Sequence, residues 1–123
     1  MHVPLGMYSH TINVDAGSRW LAIAGQLGVD AEGNVAAGFS DQAEQVLENI
    51  LHCLEANDMG KEDLVKMTIY STVPECMPDI RAARRKIMGE AVLPAVTLVI
   101  VAGLAEPKYL VEIEAWAAKT VSG

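Results

Sequence analysis

The chain has 123 residues, of which 51% are hydrophobic, and its formal net charge is −7. This length suffices for one hydrophobic core, so we expect a single domain over residues 1–123. Nine basic residues against sixteen acidic ones argue against a nucleic-acid partner, because phosphate binding requires clustered Lys and Arg. No apolar run reaches the roughly 20 residues of a membrane helix, and the two cysteines lack metal or redox spacing. We therefore expect a cytoplasmic protein with free thiols and no membrane segment.

The first half of the chain predicts three strands followed by a helix. The strands are runs of alternating or small apolar residues separated by turns, and they cover residues 8–14, 20–26 and 29–35. Gly25 lies inside the second strand and indicates a bulge or the close approach of another group. Apolar residues then recur at helical spacing between positions 43 and 54. This stripe predicts a helix that begins at Ser40 or Asp41 and has ended by Gly60.

The second half predicts a strand over 64–72, a helix that ends before Gly89, and two C-terminal strands. The first of these, Val96 to Val101, is almost wholly apolar on both faces and has to be covered on both sides. One small chain cannot supply that cover, so we expect another copy to contribute it. The order β-β-β-α-β-α-β-β predicts an α+β fold with its helices on one face of a sheet.

The last predicted strand is apolar on one face only. Glu112 and Glu114 both point to the opposite face, about 7 Å apart along the strand. Two carboxylates beside a strand that needs cover on both sides are the first candidates for chemistry. We expect Glu114 to be a salt-bridge or strand-end residue, whereas Glu112 stays a candidate for chemistry.

Several stretches, in one consistent order along the chain, carry a resemblance to a known family. They are residues 6–9, 24–28, 42–50, 63–70, 93–95 and 111–117. The sequence resembles the Rid family of reactive intermediate deaminases, also called YjgF-like or endoribonuclease L-PSP-like proteins. The resemblance implies a chorismate-mutase-like fold, with a six-stranded, mostly antiparallel sheet and two helices on one face. It also implies a homotrimer with a central barrel and three clefts between subunits.

The resemblance also implies an activity and site residues. Active members hydrolyse enamines and imines released by pyridoxal-phosphate enzymes to a keto acid and ammonia, without a metal or organic cofactor. Glu112 matches the family glutamate proposed to orient the attacking water, and Tyr8 and Gly25 match other cleft positions. Two interpretations of Glu112 stay open: a group that positions water, or a carboxylate paired with a Lys or Arg of another subunit. Tyr8 either closes the cleft onto the ligand or is a half-buried strand tyrosine.

The sequence departs from the family at Val96. Active deaminases have Pro-Ala-Arg where this chain has Pro94, Ala95 and Val96, and that arginine is thought to clamp the substrate's carboxylate. Valine cannot make such a bidentate contact. Arg19 and Arg81 are candidates for a relocated clamp, the alternative being that both are surface charges.

The basic residues near Arg81 are interpreted as ordinary surface charges. The cluster of Arg81, Arg84, Arg85 and Lys86 is expected to be a solvated helix flank.

Because Val96 cannot clamp a carboxylate, we predict little hydrolysis of simple 2-imino acids. We also predict a ligand that is neutral or apolar where it meets Val96, unless a relocated arginine reaches it.

Two functions follow from these observations. One is an enzyme that hydrolyses a C=N bond in a substrate other than a simple 2-imino acid. The other is a non-catalytic trimer that binds a small metabolite as a sensor or pathway accessory. The ribonuclease or translation-inhibitor activity sometimes attached to the family fits this acidic chain poorly.

Overall fold

The computed structural model describes residues 1–121 of the chain. It contains four strands and two helices, and a short 3-10 turn at Lys61–Asp63 precedes the second strand. The elements in chain order are β1 (Arg19–Leu27), α1 (Phe39–Ala56), β2 (Leu64–Ser71), α2 (Met77–Met88), β3 (Ala95–Ile100) and β4 (Val111–Lys119). The predicted α+β class is confirmed, and both predicted helices are present.

The four strands form one mixed sheet in the order β1-β4-β2-β3. The central strand β4 is antiparallel to both of its neighbours, whereas β3 runs parallel to β2. A parallel pair needs a crossover connection, and α2 supplies it. The most apolar strand, β3, therefore lies at an edge of the sheet.

The hydrophobic core lies between the helices and one face of the sheet. In β4 the buried residues alternate with Glu112, Glu114 and Trp116, which lie on the other face. The apolar stripe of α1 packs against β4 and β1 and consists of Ala43, Val46, Leu47, Ile50 and Leu54. Buried residues of α2 extend the same core, namely Ile80, Ala83 and Met88. We call the helix-covered side the inner face and the opposite side the outer face.

Two of the six predicted strands are wrong as extended strands. Residues 8–14 contribute only an isolated bridge between Ser9 and Ala95, and residues 29–35 close only one bridge, between Val29 and Val35. The first segment has little apolar surface to bury, and Tyr8 packs instead against His10. The second segment is too short for a ladder, because its middle is a turn. The sheet of the described chain therefore has four strands.

The outer face of the sheet carries exposed apolar side chains in a single chain. Trp20 and Trp116 are 52% and 48% exposed, and their rings meet edge to face at 6.2 Å. Val99 of β3 lies on the same face and is also exposed. As expected, one chain does not cover both sides of β3, because both helices pack on the inner face. The outer face needs a partner to remove this apolar surface from water.

Candidate functional site

Glu112 lies on the outer face, where β1 comes close to β4. The pairing of β1 with β4 shifts register between Ile23 and Gln26, which confirms the bulge expected at Gly25. At this bulge the Glu112 side chain lies directly against the Gly25 backbone. A Cβ atom at position 25 would lie 2.7 Å from Cδ of Glu112 and closer still to its Oε2. Gly25 is therefore the residue that makes room for this carboxylate.

The two glutamates of β4 are in different states. The Tyr70 hydroxyl donates a hydrogen bond to the Glu114 carboxylate. This bond raises the pKa of Tyr70 above its ordinary value, and partial burial and the negative charges of Glu114 and Glu112 act in the same direction. Glu112 is half-buried, and among residues 1–121 it has neither an ion pair nor a hydrogen bond from any side chain. Glu112 is thus free to bind water or a ligand, and Glu114 is already engaged.

A cavity of about 230 Å³ opens on the inner face, between the N-terminal segment, α2 and the β2–β3 edge. Three of the residues predicted for the site line this cavity: Tyr8, Arg81 and Val96. The Tyr8 hydroxyl accepts a hydrogen bond from the Leu5 backbone at 3.1 Å, which holds the N-terminal segment over the cavity. The structure therefore brings these three residues together.

Within one chain the sheet separates Glu112 from this cavity. Val96 is paired with Met67, a buried inner-face residue, so the two side chains lie on the same side of the sheet. Glu112 alternates with buried residues of β4 and lies on the opposite side. The predicted site therefore consists of two parts, an outer-face carboxylate with Gly25 and an inner-face cavity.

Arg19 belongs to neither part of the site. It opens β1, and its Nη1 donates a hydrogen bond to the Asn57 carbonyl oxygen at 3.0 Å. This contact ties the start of β1 to the end of α1. The structure does not bring Arg19 together with Tyr8, Arg81 or Val96.

The expectation of a solvated basic flank on α2 is wrong for Arg84. Arg84 is only 7% exposed and lines the same cavity as Arg81. Arg85 and Lys86 are exposed, as expected, and form surface ion pairs at 2.7 Å and 2.8 Å with Glu90 and Glu44. The signal for Arg84 was available in its spacing: it lies four residues from both Ile80 and Met88, on the buried stripe of the helix. Grouping the four basic residues by charge alone conceals this difference.

The cysteines, the candidate metal ligands and the helix lengths of the described chain bear on other kinds of site. Cys53 is half-buried and Cys76 is buried, and both are free thiols. Residues 1–121 contain no group of three or more His, Cys, Asp and Glu side chains suited to holding a metal ion. Over the same residues, no helix combines the length and the apolar character needed to cross a membrane.

Comparison with known proteins extends over nearly the whole chain. A family model described as endoribonuclease L-PSP matches residues 2–119. A RutC family protein of Pyrococcus horikoshii is 37% identical over 119 residues, which cover 94% of this chain and 90% of that protein. For two further curated relatives, the chain spans about half of their length, 54% and 52%.

Solved structures give the same result. The conserved Rid family protein YyfB of Yersinia pestis, whose function is unknown, is similar with a TM-score of 0.81 and 30% identity, over 92% of this chain and 87% of that one. The TdcF protein of Escherichia coli with bound serine has a TM-score of 0.77 and 29% identity, with coverages of 96% and 92%. The shared architecture is a small α+β fold with a mixed sheet and two helices. The chain belongs to the Rid family.

Proposed function

We propose that this protein hydrolyses the C=N bond of an imine, or of the imine tautomer of an enamine, in a cleft between two copies of the chain. The observation that carries the proposal is the Glu112 carboxylate, which lies half-buried against Gly25 without a cation or donor side chain among residues 1–121. A carboxylate in this state can hold a water molecule and accept its proton. The water oxygen adds to the imine carbon, and the proton accepted by Glu112 passes to the nitrogen. The hydroxyl proton of the resulting carbinolamine then moves to the nitrogen as the C–N bond breaks and ammonia leaves. The product is a carbonyl compound, and no cofactor takes part.

The proposed cleft is completed by a second copy, because the two parts of the site open on opposite faces of one sheet. The exposed outer face, with Trp20 and Trp116, supports an assembly in which the outer faces are buried against each other. We propose a homotrimer with a central barrel, as the family resemblance implies. In this assembly the cavity of one copy adjoins Glu112 of the next, so Tyr8, Arg81 and Val96 bind the substrate while Glu112 directs the water. We expect the protein to be cytoplasmic and its single domain to span residues 1–123.

One observation favours a second candidate function, a trimer that binds a small metabolite without converting it. Val96 stands at the position where active deaminases carry arginine, and it makes that wall of the cavity apolar. A serine-bound structure of the related TdcF protein supports a small-molecule ligand for this chain in either case. For the same reason we expect simple 2-imino acids, whose carboxylate would meet Val96, to be poor substrates.

The experiment that tests the proposal measures turnover directly. An amino-acid oxidase generates a series of 2-imino acids, and amine oxidation generates imines without a carboxylate. Release of the carbonyl product is followed with and without the purified protein. We expect acceleration for at least one imine class, little acceleration for imines of ordinary amino acids, and its loss in Glu112→Gln with an unchanged oligomeric state.

Glu114→Gln is the matched control, because it makes the same change two residues along the same face. We expect this variant to retain most of the activity. Greater damage from Glu114→Gln than from Glu112→Gln would contradict the assignment of the water-positioning group. Absence of acceleration for every imine, combined with saturable binding of a small molecule, would leave the metabolite-binding function in its place.

A further inference from the structure

Arg84 is a buried charge without a counterion in the described chain. It lies on the inner side of α2, between Ile80 and Met88, and only 7% of it is exposed. Among residues 1–121 its guanidinium makes no salt bridge, and its side chain donates no hydrogen bond. Burial lowers the pKa of this guanidinium, yet arginine stays charged at neutral pH. The site therefore holds a full positive charge away from bulk water.

The cavity that Arg84 lines contains no acidic residue. Its two charged groups are Arg84 and Arg81, one helical turn apart, and most of its remaining wall is apolar, including Ile69, Val96 and Leu98. The chain as a whole carries a net charge of −7, so the absence of any Asp or Glu around this cavity runs against its composition. Within one chain, two cations therefore line a space that contains no acidic side chain.

An unpaired buried charge is costly, and structures retain one where something else compensates it. In residues 1–121 no fully enclosed side-chain nitrogen or oxygen lacks a partner. Since Arg84 has no partner, its nitrogens are not fully enclosed, and the cavity is the open space that this residue lines. The donors of the guanidinium are thus open toward the place where a ligand would sit.

We propose that Arg84 is the anion anchor of this protein and binds the carboxylate of a short aliphatic monocarboxylate in the inner-face cavity, assisted by Arg81. The planar fork of the guanidinium accepts a carboxylate through two parallel hydrogen bonds. The apolar walls at Ile69, Val96 and Leu98 receive the aliphatic part of the ligand. This inference rests on the proposed function for its biological meaning, and it names the ligand class of the same site.

The position of the anchor also bears on specificity. The guanidinium projects from α2, whereas the family arginine would project from the start of β3 at position 96. A carboxylate bound to Arg84 is therefore held at a different point from one bound at position 96. A 2-imino acid can therefore bind at Arg84, but its C=N bond, which adjoins the carboxylate, lies at a different point from that of a substrate clamped at position 96.

The test measures binding of two isosteric probes, butyrate and butyramide, by calorimetry and ligand-detected NMR on the purified full chain. We expect the unchanged protein to bind butyrate at least about tenfold more tightly than butyramide, in line with the strength of a charge-assisted bidentate contact. Arg84→Met removes the charge at similar volume and should abolish this preference. Arg84→Lys keeps the charge without the fork and should retain part of it. Arg85→Met removes the same charge from an exposed position of the same helix and should leave butyrate binding unchanged.

Stability distinguishes an anchor from a structural arginine. Without ligand, the melting temperature of Arg84→Met should equal or exceed that of the unchanged protein, because the variant no longer buries an unpaired charge. A lower melting temperature with a changed oligomeric state would assign Arg84 to an ion pair with another chain and would overturn the proposal. Equal binding of butyrate and butyramide, no saturable binding of butyrate at tens of millimolar, or binding of inorganic phosphate alone would overturn it as well. These experiments measure binding and need no turnover. Their outcome can therefore be interpreted even if the proposed hydrolysis is not observed.

Discussion

The contact between Gly25 and Glu112 allows a steric test of the site that leaves both charge and fold intact. In Gly25→Ala, the new Cβ would lie 2.7 Å from Cδ of Glu112, whereas ordinary van der Waals contact begins at 3.4 Å. The carboxylate therefore has to retreat by about 0.7 Å or more, which exceeds the roughly 0.5 Å within which a catalytic group is held. A displacement of this size can cost on the order of 100-fold in rate.

The same substitution should cost little stability. Glu112 is half-buried, and its carboxylate is the flexible end of a side chain, so it can move toward solvent. The backbone of Gly25 is not in the left-handed region. Replacing Gly by Ala there raises the free energy of unfolding by about 0.4–1 kcal/mol, because it reduces the entropy of the unfolded chain. We expect a change below about 1 kcal/mol in the free energy of unfolding, or about 4 °C in melting temperature.

The assay compares turnover, or ligand binding if no turnover is found, with thermal unfolding of the same samples. Gly103→Ala is the matched control, because a Cβ at that position meets no atom within 4 Å. We expect Gly25→Ala to lose function while keeping its melting temperature, and Gly103→Ala to keep both. Full activity in Gly25→Ala would refute the role of Glu112. Unfolding in parallel with the loss of function would show that Gly25 is needed for the fold instead.

Three further predictions concern the fold and the assembly. Gln42→Leu should lower the free energy of unfolding by about 3 kcal/mol, because the buried Gln42 amide donates to the Ala36 and Lys108 carbonyls and accepts from the Leu110 backbone; chemical denaturation measures this, and a loss below about 1 kcal/mol would contradict it. Glu114→Gln should bring the raised pKa of Tyr70 back toward 10 in an NMR titration. Since the folded state holds the Tyr70 proton more tightly, the contribution of this hydrogen bond to stability is present below pH 10 and is lost as the pH rises through the folded-state pKa. Light scattering should give three times the mass of one chain for the unchanged protein and the mass of a single chain for Trp116→Lys. A mass of one chain for the unchanged protein at micromolar concentration would refute the trimer.

The sequence alone determined the features that depend on local spacing. The stripe from position 43 to position 54 predicted α1, and the alternation around Glu112 and Glu114 predicted which face of β4 is buried. Gly25 predicted a bulge, which the structure confirms. These features follow from the 3.6-residue period of a helix and the two-residue period of a strand, which neighbouring residues fix among themselves.

The tertiary structure decided what spacing does not encode. Residues 8–14 form one bridge instead of a strand. A segment at the edge of a sheet pairs along its length only if the pairing buries enough of its apolar surface. The tertiary structure placed Val96 and Glu112 on opposite faces of the sheet, which the register between distant strands determines. It also separated Arg84, buried at a cavity, from the exposed Arg85 beside it. Residues adjacent in sequence received different environments because packing between distant elements, and not local propensity, determines which side chains are removed from water.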